Sequence, residues 1–401
     1  MPSRIKVLIV FGTRPEAIKL FPLIKQLASD ERFLVRVCHS GQHRSLAEPI
    51  TRLTGIKIDH ELDIMVPGQS LDDLTAAALK AIGYICDLEQ PNWAVVQGDT
   101  TTAFAGALAA HYRKISVAHV EAGLRSGDNY QPWPEEANRR MISALATLHF
   151  APTQAAAEAL TAENIAADAV YITGNTGIDA VHWMAAQLDS QPSLASEMQA
   201  LEQCYSGKRI IGLTLHRREN VGDNIVGIAA AVRRLARRPD IAFICPCHPN
   251  PLVRAVMHEQ LYDLNNVALI EPLRYPDFVR LLSAAHIMLT DSGGVQEEAP
   301  SFATPVLVLR ETTERPEGII TGAAKLVGTD PDTIVAEVSR LLDSASAYNN
   351  MAQKRSLYGD GHASRRIAEL LAATTKQQRS FRSRYTPDTT EQNAEHQILT
   401  V

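Results

Sequence analysis

Residues 119–140, HVEAGLRSGDNYQPWPEEANRR, hold the densest set of potentially reactive side chains in the chain. Glu121, Asp128, Glu135 and Glu136 stand there among Arg125, Arg139 and Arg140, with Pro132, Trp133 and Pro134 between them. The stretch follows residues 115–120, ISVAHV, which read as a buried strand. In parallel α/β sheets ligands bind in the crevice outside the carboxyl ends of the strands. A stiff loop full of carboxylates at that place suits general acid/base chemistry.

Three further loops carry comparable signals. In FGTRPEAIK (11–19) Gly12 permits a tight turn, Pro15 suits the first position of a helix, and Arg14 beside a helix N-terminus attracts phosphate. The same residues also describe an ordinary capped helix with surface charge. In DSGGVQEE (291–298), after an apolar run, Ser292, Gly293 and Gly294 allow the backbone to approach a diphosphate while the following helix aims free N–H groups at it. Glu298, one helical turn on, is placed to hold two vicinal ribose hydroxyls. Arg315, in ETTERPE (311–317), follows the next strand and can reach the same phosphates bidentately. In QGDTTT (97–102) Asp99 follows a strand and precedes a helix, and by itself it reads first as a helix cap. His216, beside Arg217 and Arg218, sits at another strand end, where nearby cations favour the neutral imidazole.

Other chemistries are excluded by what is missing. The sequence has no HExxH, no Asp-rich magnesium motif, no Gly-Lys-Ser/Thr P-loop, no GxGxxG and no Gly-x-Ser-x-Gly elbow. No metal and no cofactor are expected. A net charge of −6 argues against a nucleic-acid surface. No apolar run approaches the roughly 20 residues needed to cross a membrane. The five cysteines form no framework, so buried free thiols in a reducing cytoplasm are expected.

These loops need elements to hold them. Short β-branched runs alternate with helical patterns twice over. They fall at 5–10, 34–39, 94–97, 115–120, 148–151 and 170–173, and again at 209–215, 241–245, 267–270, 287–290, 306–309 and 325–327. Continuous apolar strands between helices predict parallel, doubly wound sheets, and 401 residues suffice for two of them. The expected organisation is an α/β chain of two Rossmann-like domains with the site in the cleft between them. The first spans 1–173 and the second 174–354, with the hinge near Gly174. A polar, aperiodic tail over 375–401 reads as disordered.

Taken together, FGTRPEAIK, GQHR, QGDTTT, HVEAGLRSGD, PWPEEANR, GNTGIDA, HRREN, HPNP, DSGGVQEEAP and TTERPEG resemble the non-hydrolysing UDP-N-acetylglucosamine 2-epimerases, in family order over about residues 6–371. The resemblance implies a GT-B-like fold, a C-terminal helix (about 355–373) that returns to the first domain, and a homodimer. It implies interconversion of UDP-GlcNAc and UDP-ManNAc through elimination of UDP to 2-acetamidoglucal and re-addition, which feeds surface polysaccharides. The rival readings are a hydrolysing epimerase and a GT-B glycosyltransferase. By matching motif, Asp99, Glu121, Glu135 and His216 become the catalytic group, with Asp99 and Glu121 at C2 and Glu136 as the alternative to Glu135. Arg14, Lys19, Ser292, Gly293, Gly294, Glu298 and Arg315 become the UDP holders, with Phe278 near uracil. Some bacterial relatives bind a second UDP-GlcNAc as activator around the QHR stretch. Here Gln42-His43-Arg44 is followed by Ser45, and Pro67-Gly68 stands where those relatives carry an arginine, so activation through the same contacts is not expected.

Overall fold

The structure is a computed structural model and describes residues 4–42, 44–66, 68–215, 222–247, 250–353 and 355–385. Two sheets account for its strands. The first contains β1 (Ile5–Phe11), β2 (Phe33–His39), β3 (His60–Glu61), β4 (Trp93–Gln97), β5 (Ser116–Val120), β6 (Leu148–Ala151) and β7 (Val170–Ile172), in the spatial order β3-β2-β1-β4-β5-β6-β7. The second contains β8 (Arg209–Thr214), β9 (Ile241–Pro246), β10 (Val267–Ile270), β11 (Ile287–Thr290), β12 (Val306–Val308) and β13 (Ala324–Leu326), in the order β10-β9-β8-β11-β12-β13. Neighbouring strands run parallel, with Val7–Ile9 of β1 beside Trp93–Val95 of β4 and Ile287–Thr290 of β11 beside Ile211–Thr214 of β8. Both sheets are therefore doubly wound, as the alternation of strand and helix patterns predicts. Each has its topological switch point where the strand order reverses, between β1 and β4 and between β8 and β11.

The strands are apolar throughout because both of their faces are covered. Every residue of β4 and of β11 is buried, and Trp93 is wholly enclosed. The helices that follow begin at side-chain caps. Thr13 and Glu16 form a reciprocal capping box ahead of the helix Arg14–Ala28, and Thr100 caps the helix Thr101–Tyr112. Only the two-residue strand β3 lacked a sequence signal, since a pair so short has no periodicity to read.

The chain passes between the sheets at residues 173–175. Gly174 takes φ +86°, and a Cβ on it would lie 3.0 Å from the Cα of Gly359, where the chain comes back. The two passages are bonded: Asn175 N donates to the Tyr358 carbonyl at 2.6 Å. The helix Thr176–Ser190 serves both domains. Its Trp183 packs edge-on against Phe21 of the helix Arg14–Ala28, with ring centroids 5.0 Å apart, and its Ala180, Val181, Met184 and Leu188 share one buried cluster with Leu281 and Met288 of the second domain. The hinge expected near Gly174 is therefore a crossing held on both sides by packed helices.

The returning helix differs from its expected extent. It spans Ala363–Tyr385, so the polar stretch beginning at Thr375 continues a helix instead of starting a disordered tail. Aperiodicity hid this because one buried contact fixes the register. Thr375 is buried and accepts a hydrogen bond from the Trp93 indole N–H at 2.7 Å, while Ile367, Ala368 and Leu371 join the first domain's core. The remainder of that tail, 386–401, lies outside the described residues.

All five cysteines are free, with Cys38, Cys86 and Cys245 buried. Burial raises the Cys38 thiol to about 12 and the Cys86 thiol to about 11, which keeps both protonated and unreactive. Among the described residues, no helix is long and apolar enough to cross a membrane, and no cluster of three or more acidic, histidine or cysteine side chains could hold a metal ion.

Candidate active site

Glu121 lies immediately after β5 with φ +63°, a left-handed backbone that a glutamate rarely takes. Such strain persists only where the surroundings fix it. Here Lys19, from the helix Arg14–Ala28, forms an ion pair with Glu121 Oε2. The Asn175 amide donates to the same oxygen at 2.9 Å and to Glu297 Oε2 at 2.6 Å. Glu297 in turn accepts from Arg315 Nε at 2.8 Å. One buried network thus joins the first domain (Lys19, Glu121), the crossing (Asn175) and the second domain (Glu297, Arg315).

Burial alone would raise the Glu121 carboxyl, but Lys19 and Arg315 outweigh it and hold it below the usual carboxylate range. Lys19 is likewise desolvated, yet Glu121 and Glu297 raise it above a free lysine. Glu297 moves the other way: burial raises it, and the nearby cations only partly offset the rise. Burial, and then the neighbouring Glu297, push Glu298 up to about 8, so that carboxyl is largely neutral at neutral pH.

Asp99 follows β4. Its carboxylate accepts from Arg139 Nε at 2.8 Å, and its carbonyl accepts from Asn138 Nδ2 at 2.9 Å. The cap reading of this aspartate is superseded, because Thr100 caps the helix that follows by accepting from Ala103 N. The turn is held from beneath by His119, whose Nε2–H donates to the Gly98 carbonyl at 2.7 Å. Burial lowers that imidazole to about 3, which keeps it neutral and suited to a fixed structural donor role.

The two adjacent glutamates of the acidic stretch have separate environments. Glu136 is wholly buried and accepts from Ser126 N at 3.1 Å, Arg139 at 3.1 Å and Arg140 at 3.3 Å. Glu135 opens the helix Glu135–Leu145, and its Oε2 is buried with no hydrogen-bond partner among the described residues. Arg139 therefore bridges Asp99 and Glu136, and it feels the charge of Arg315 across the domain boundary.

The opposite wall starts at the helix Gly293–Glu298, with Ser292 at its N-cap position making no side-chain cap bond. Arg315 lies directly over this turn: a Cβ on Gly293 would come within 2.7 Å of its guanidinium carbon. A side chain there is impossible without moving Arg315, which accounts for the glycine. Arg14 reaches over from the first domain and donates to the Leu273 carbonyl at 3.3 Å. Burial lowers its affinity for the proton somewhat, while Tyr275 and Glu298 act in the other direction. Arg14, Leu273 and Tyr275 line a cavity of about 600 Å³ together with residues 48–50, 52–53, 272, 274 and 276.

Arg14, Lys19, Glu121, Ser292, Gly293, Gly294, Glu298 and Arg315 are thus gathered where the domains meet, with Asp99 tied to them through Arg139. Lys19 pairs with Glu121 and feels the charge of Glu297 across the domain boundary. Phe278 packs partly buried against the hydrophobic core and does not line the cavity beside Arg14. His216, with Arg217 and Arg218, lies outside the described residues, as do His43 and Pro67 of the expected activator contacts. Sequence reasoning missed Asn175, Glu297, Tyr275 and Arg139's pairing role. Asn175 had a visible signal as the first polar residue after a glycine at the crossing. Glu297 had none that distinguished it from Glu298.

Two doubly wound domains, one carrying carboxylates and the other a Ser-Gly-Gly helix start under an arginine, define a GT-B-like enzyme built for a nucleotide-linked sugar. The sequence profile of the UDP-N-acetylglucosamine 2-epimerases matches residues 25–372. The chain is 46% identical over 368 residues to the UDP-N-acetylglucosamine 2-epimerase of Escherichia coli strain K12, covering 91% of this chain and 98% of that one. It is 45% identical over 370 residues to the Bacillus subtilis strain 168 enzyme of the same name, covering 92% and 95%. The crystal structure of the Neisseria meningitidis UDP-GlcNAc 2-epimerase bound to UDP-GlcNAc superimposes with a TM-score of 0.88 at 44% identity, covering 92% of this chain and all of the other. The chain belongs to the UDP-N-acetylglucosamine 2-epimerase family.

Proposed function

We propose that this chain epimerises UDP-GlcNAc at C2 to UDP-ManNAc by eliminating UDP and adding it back, with Glu121 and Asp99 working at C2. The C2 proton has no neighbouring carbonyl to acidify it, so a base cannot remove it directly at a useful rate. As the C1–O bond to UDP lengthens, positive charge grows at C1 and acidifies C2–H. A carboxylate takes that proton, the C1=C2 bond forms, and UDP departs. Re-addition returns the diphosphate oxygen to C1 while a proton is delivered to the opposite face of C2. Acid/base groups are therefore needed on both faces of one sugar.

The observation that carries this reading is the single network that links an ionised Glu121 to Arg315 above the Ser292–Gly294 turn. It couples a base to the place where diphosphate charge develops, and fixed donors there stabilise the leaving group. Glu135, with an unpartnered buried oxygen, supports a third proton-handling role. A largely neutral Glu298 next to the turn supports nucleotide binding, because it hydrogen-bonds ribose hydroxyls without repelling the diphosphate. Arg14, Lys19, Ser292, Gly293, Gly294 and Arg315 supply the remaining UDP contacts in this reading. Epimerisation in D₂O, followed at C2 by NMR, tests it. Deuterium at C2 in both epimers is expected; epimerisation without label overturns the route, and stoichiometric free ManNAc with UDP favours hydrolysis.

The product serves surface polysaccharide synthesis in this reading, and the free thiols support a reducing cytoplasm. The protein acts as a homodimer. The side-by-side helices Leu71–Glu89, Thr101–Tyr112 and Glu135–Leu145 expose Tyr84, Leu88, Tyr112 and Met141, an apolar set that a second copy can cover. Light scattering should give twice the mass of 43.8 kDa, and charged substitutions at Tyr84 and Leu88 should halve it. A monomeric wild type ends the dimer reading.

A further inference from the structure

We propose that Asn175 is a positioning residue that holds Glu121 in its working geometry and does so only while the two domains are closed; the proposal rests on the reading of Glu121 as a catalytic carboxylate. Four hydrogen bonds hold this residue, three of them through its side chain. Its Oδ1 accepts from Gly177 N at 2.9 Å, which caps the helix Thr176–Ser190. Its backbone N donates to the Tyr358 carbonyl, where the chain returns. The amide oxygen being committed to the helix, the amide nitrogen must face the other way. It spends its two hydrogens on two carboxylates, Glu121 Oε2 of the first domain and Glu297 Oε2 of the second.

The location decides what this arrangement does. Asn175 stands at the crossing between the domains, one residue after the Gly174 turn. A carboxylate from each domain can share one amide nitrogen only when the domains are close. Opening the cleft pulls Glu297 away and leaves the amide to reorient about its cap. Glu121, in its strained left-handed backbone, then loses one of the two groups that fix its acid oxygen. The charged and titratable groups around Glu121 are Lys19 from the helix Arg14–Ala28, Glu297 and Glu298 from the helix Gly293–Glu298, Arg315 just before the helix Pro316–Ile320, and His119 from β5. The Asn175 donor favours the ionised form of Glu121 alongside Lys19 and Arg315. Removing it raises the proton affinity of Glu121, so the limb of the pH–rate profile governed by Glu121 moves to higher pH.

Asn175→Ser keeps a good helix cap but cannot reach both carboxylates, and it is the informative variant. The full-length protein should stay folded, with a melting temperature lowered by the loss of two buried hydrogen bonds, and keep its KM for UDP-GlcNAc within about threefold. Its kcat should fall by about tenfold or more, with one limb of the kcat–pH profile displaced upward. Asn175→Asp should fall further, because it places a third carboxylate against Glu121 and Glu297. Glu121→Gln run in parallel separates the two readings. If Glu121→Gln stays active, the catalytic role of Glu121 fails. If Glu121→Gln is inactive while Asn175→Ser shows wild-type kcat and pH profile, or a loss confined to KM, the role given to Asn175 is overturned.

Discussion

At the scale of single residues, the adjacent Glu135 and Glu136 differ in the donors that surround them. Glu136 satisfies a backbone amide and two guanidinium groups, one of which also holds Asp99. The buried Oε2 of Glu135 has no hydrogen-bond partner among the described residues. Glu136→Ala leaves the Ser126 amide without its acceptor and Arg139 with Asp99 as its remaining carboxylate partner, and should destabilise the fold by about 1–3 kcal/mol, read as a lower denaturation midpoint. Glu135→Gln should change stability by less than about 1 kcal/mol while activity falls by about a hundredfold or more. Equal stability losses in both variants, or an active Glu135→Gln, would refute this division.

At the scale of elements, the loops that matter all leave the carboxyl ends of strands on either side of a switch point. The turns after β1, β4 and β5 provide Arg14, Asp99 and Glu121, and those after β11 and β12 provide the glycine turn and Arg315. The returning helix Ala363–Tyr385 is fixed by the bond between Trp93 and Thr375. Thr375→Val keeps the shape and removes the acceptor, which leaves the fully buried indole N–H without a partner. The expected cost is about 1–3 kcal/mol, measured by chemical denaturation. An unchanged midpoint would mean that this contact contributes nothing to anchoring the helix.

At the scale of the whole molecule, the proposed site draws on both domains. Glu298 of the second domain faces Arg14 of the first, and Asn175 at the crossing holds a carboxylate from each. The raised Glu298 carboxyl gives this assembly a pH signature. Its folded pKa, about 8, lies above the ordinary value, so the neutral form is present below about pH 8 and is lost as pH rises through it. In the proposed reading UDP, an anion, binds best to the neutral form. Its affinity should therefore fall by up to about tenfold between about pH 7 and about pH 9, as isothermal calorimetry can follow. In Glu298→Gln the decline should flatten. A decline of the same size in that variant would assign it to another group.

The sequence by itself determined the doubly wound class, the two-domain plan and nearly all the strand positions. Those follow from local properties: apolar β-branched runs, helical periodicity and capping residues such as Thr13 and Thr100, each acting within a few positions. It also marked the chemically charged loops, because a Ser-Gly-Gly turn or a run of carboxylates after a strand is visible without knowing its neighbours. Tertiary structure alone decided how those loops divide the work. Nothing local distinguishes Glu297 from Glu298, since their proton affinities are set by burial and by charges as distant in the chain as Lys19 and Arg14, and Glu135 differs from Glu136 only in the donors the fold brings to each. For the same reason the helix beyond Thr375 was invisible: its register depends on one indole 282 positions earlier. The meeting of Glu121 with Glu297 through Asn175 exists only where two separately folded sheets close on one another.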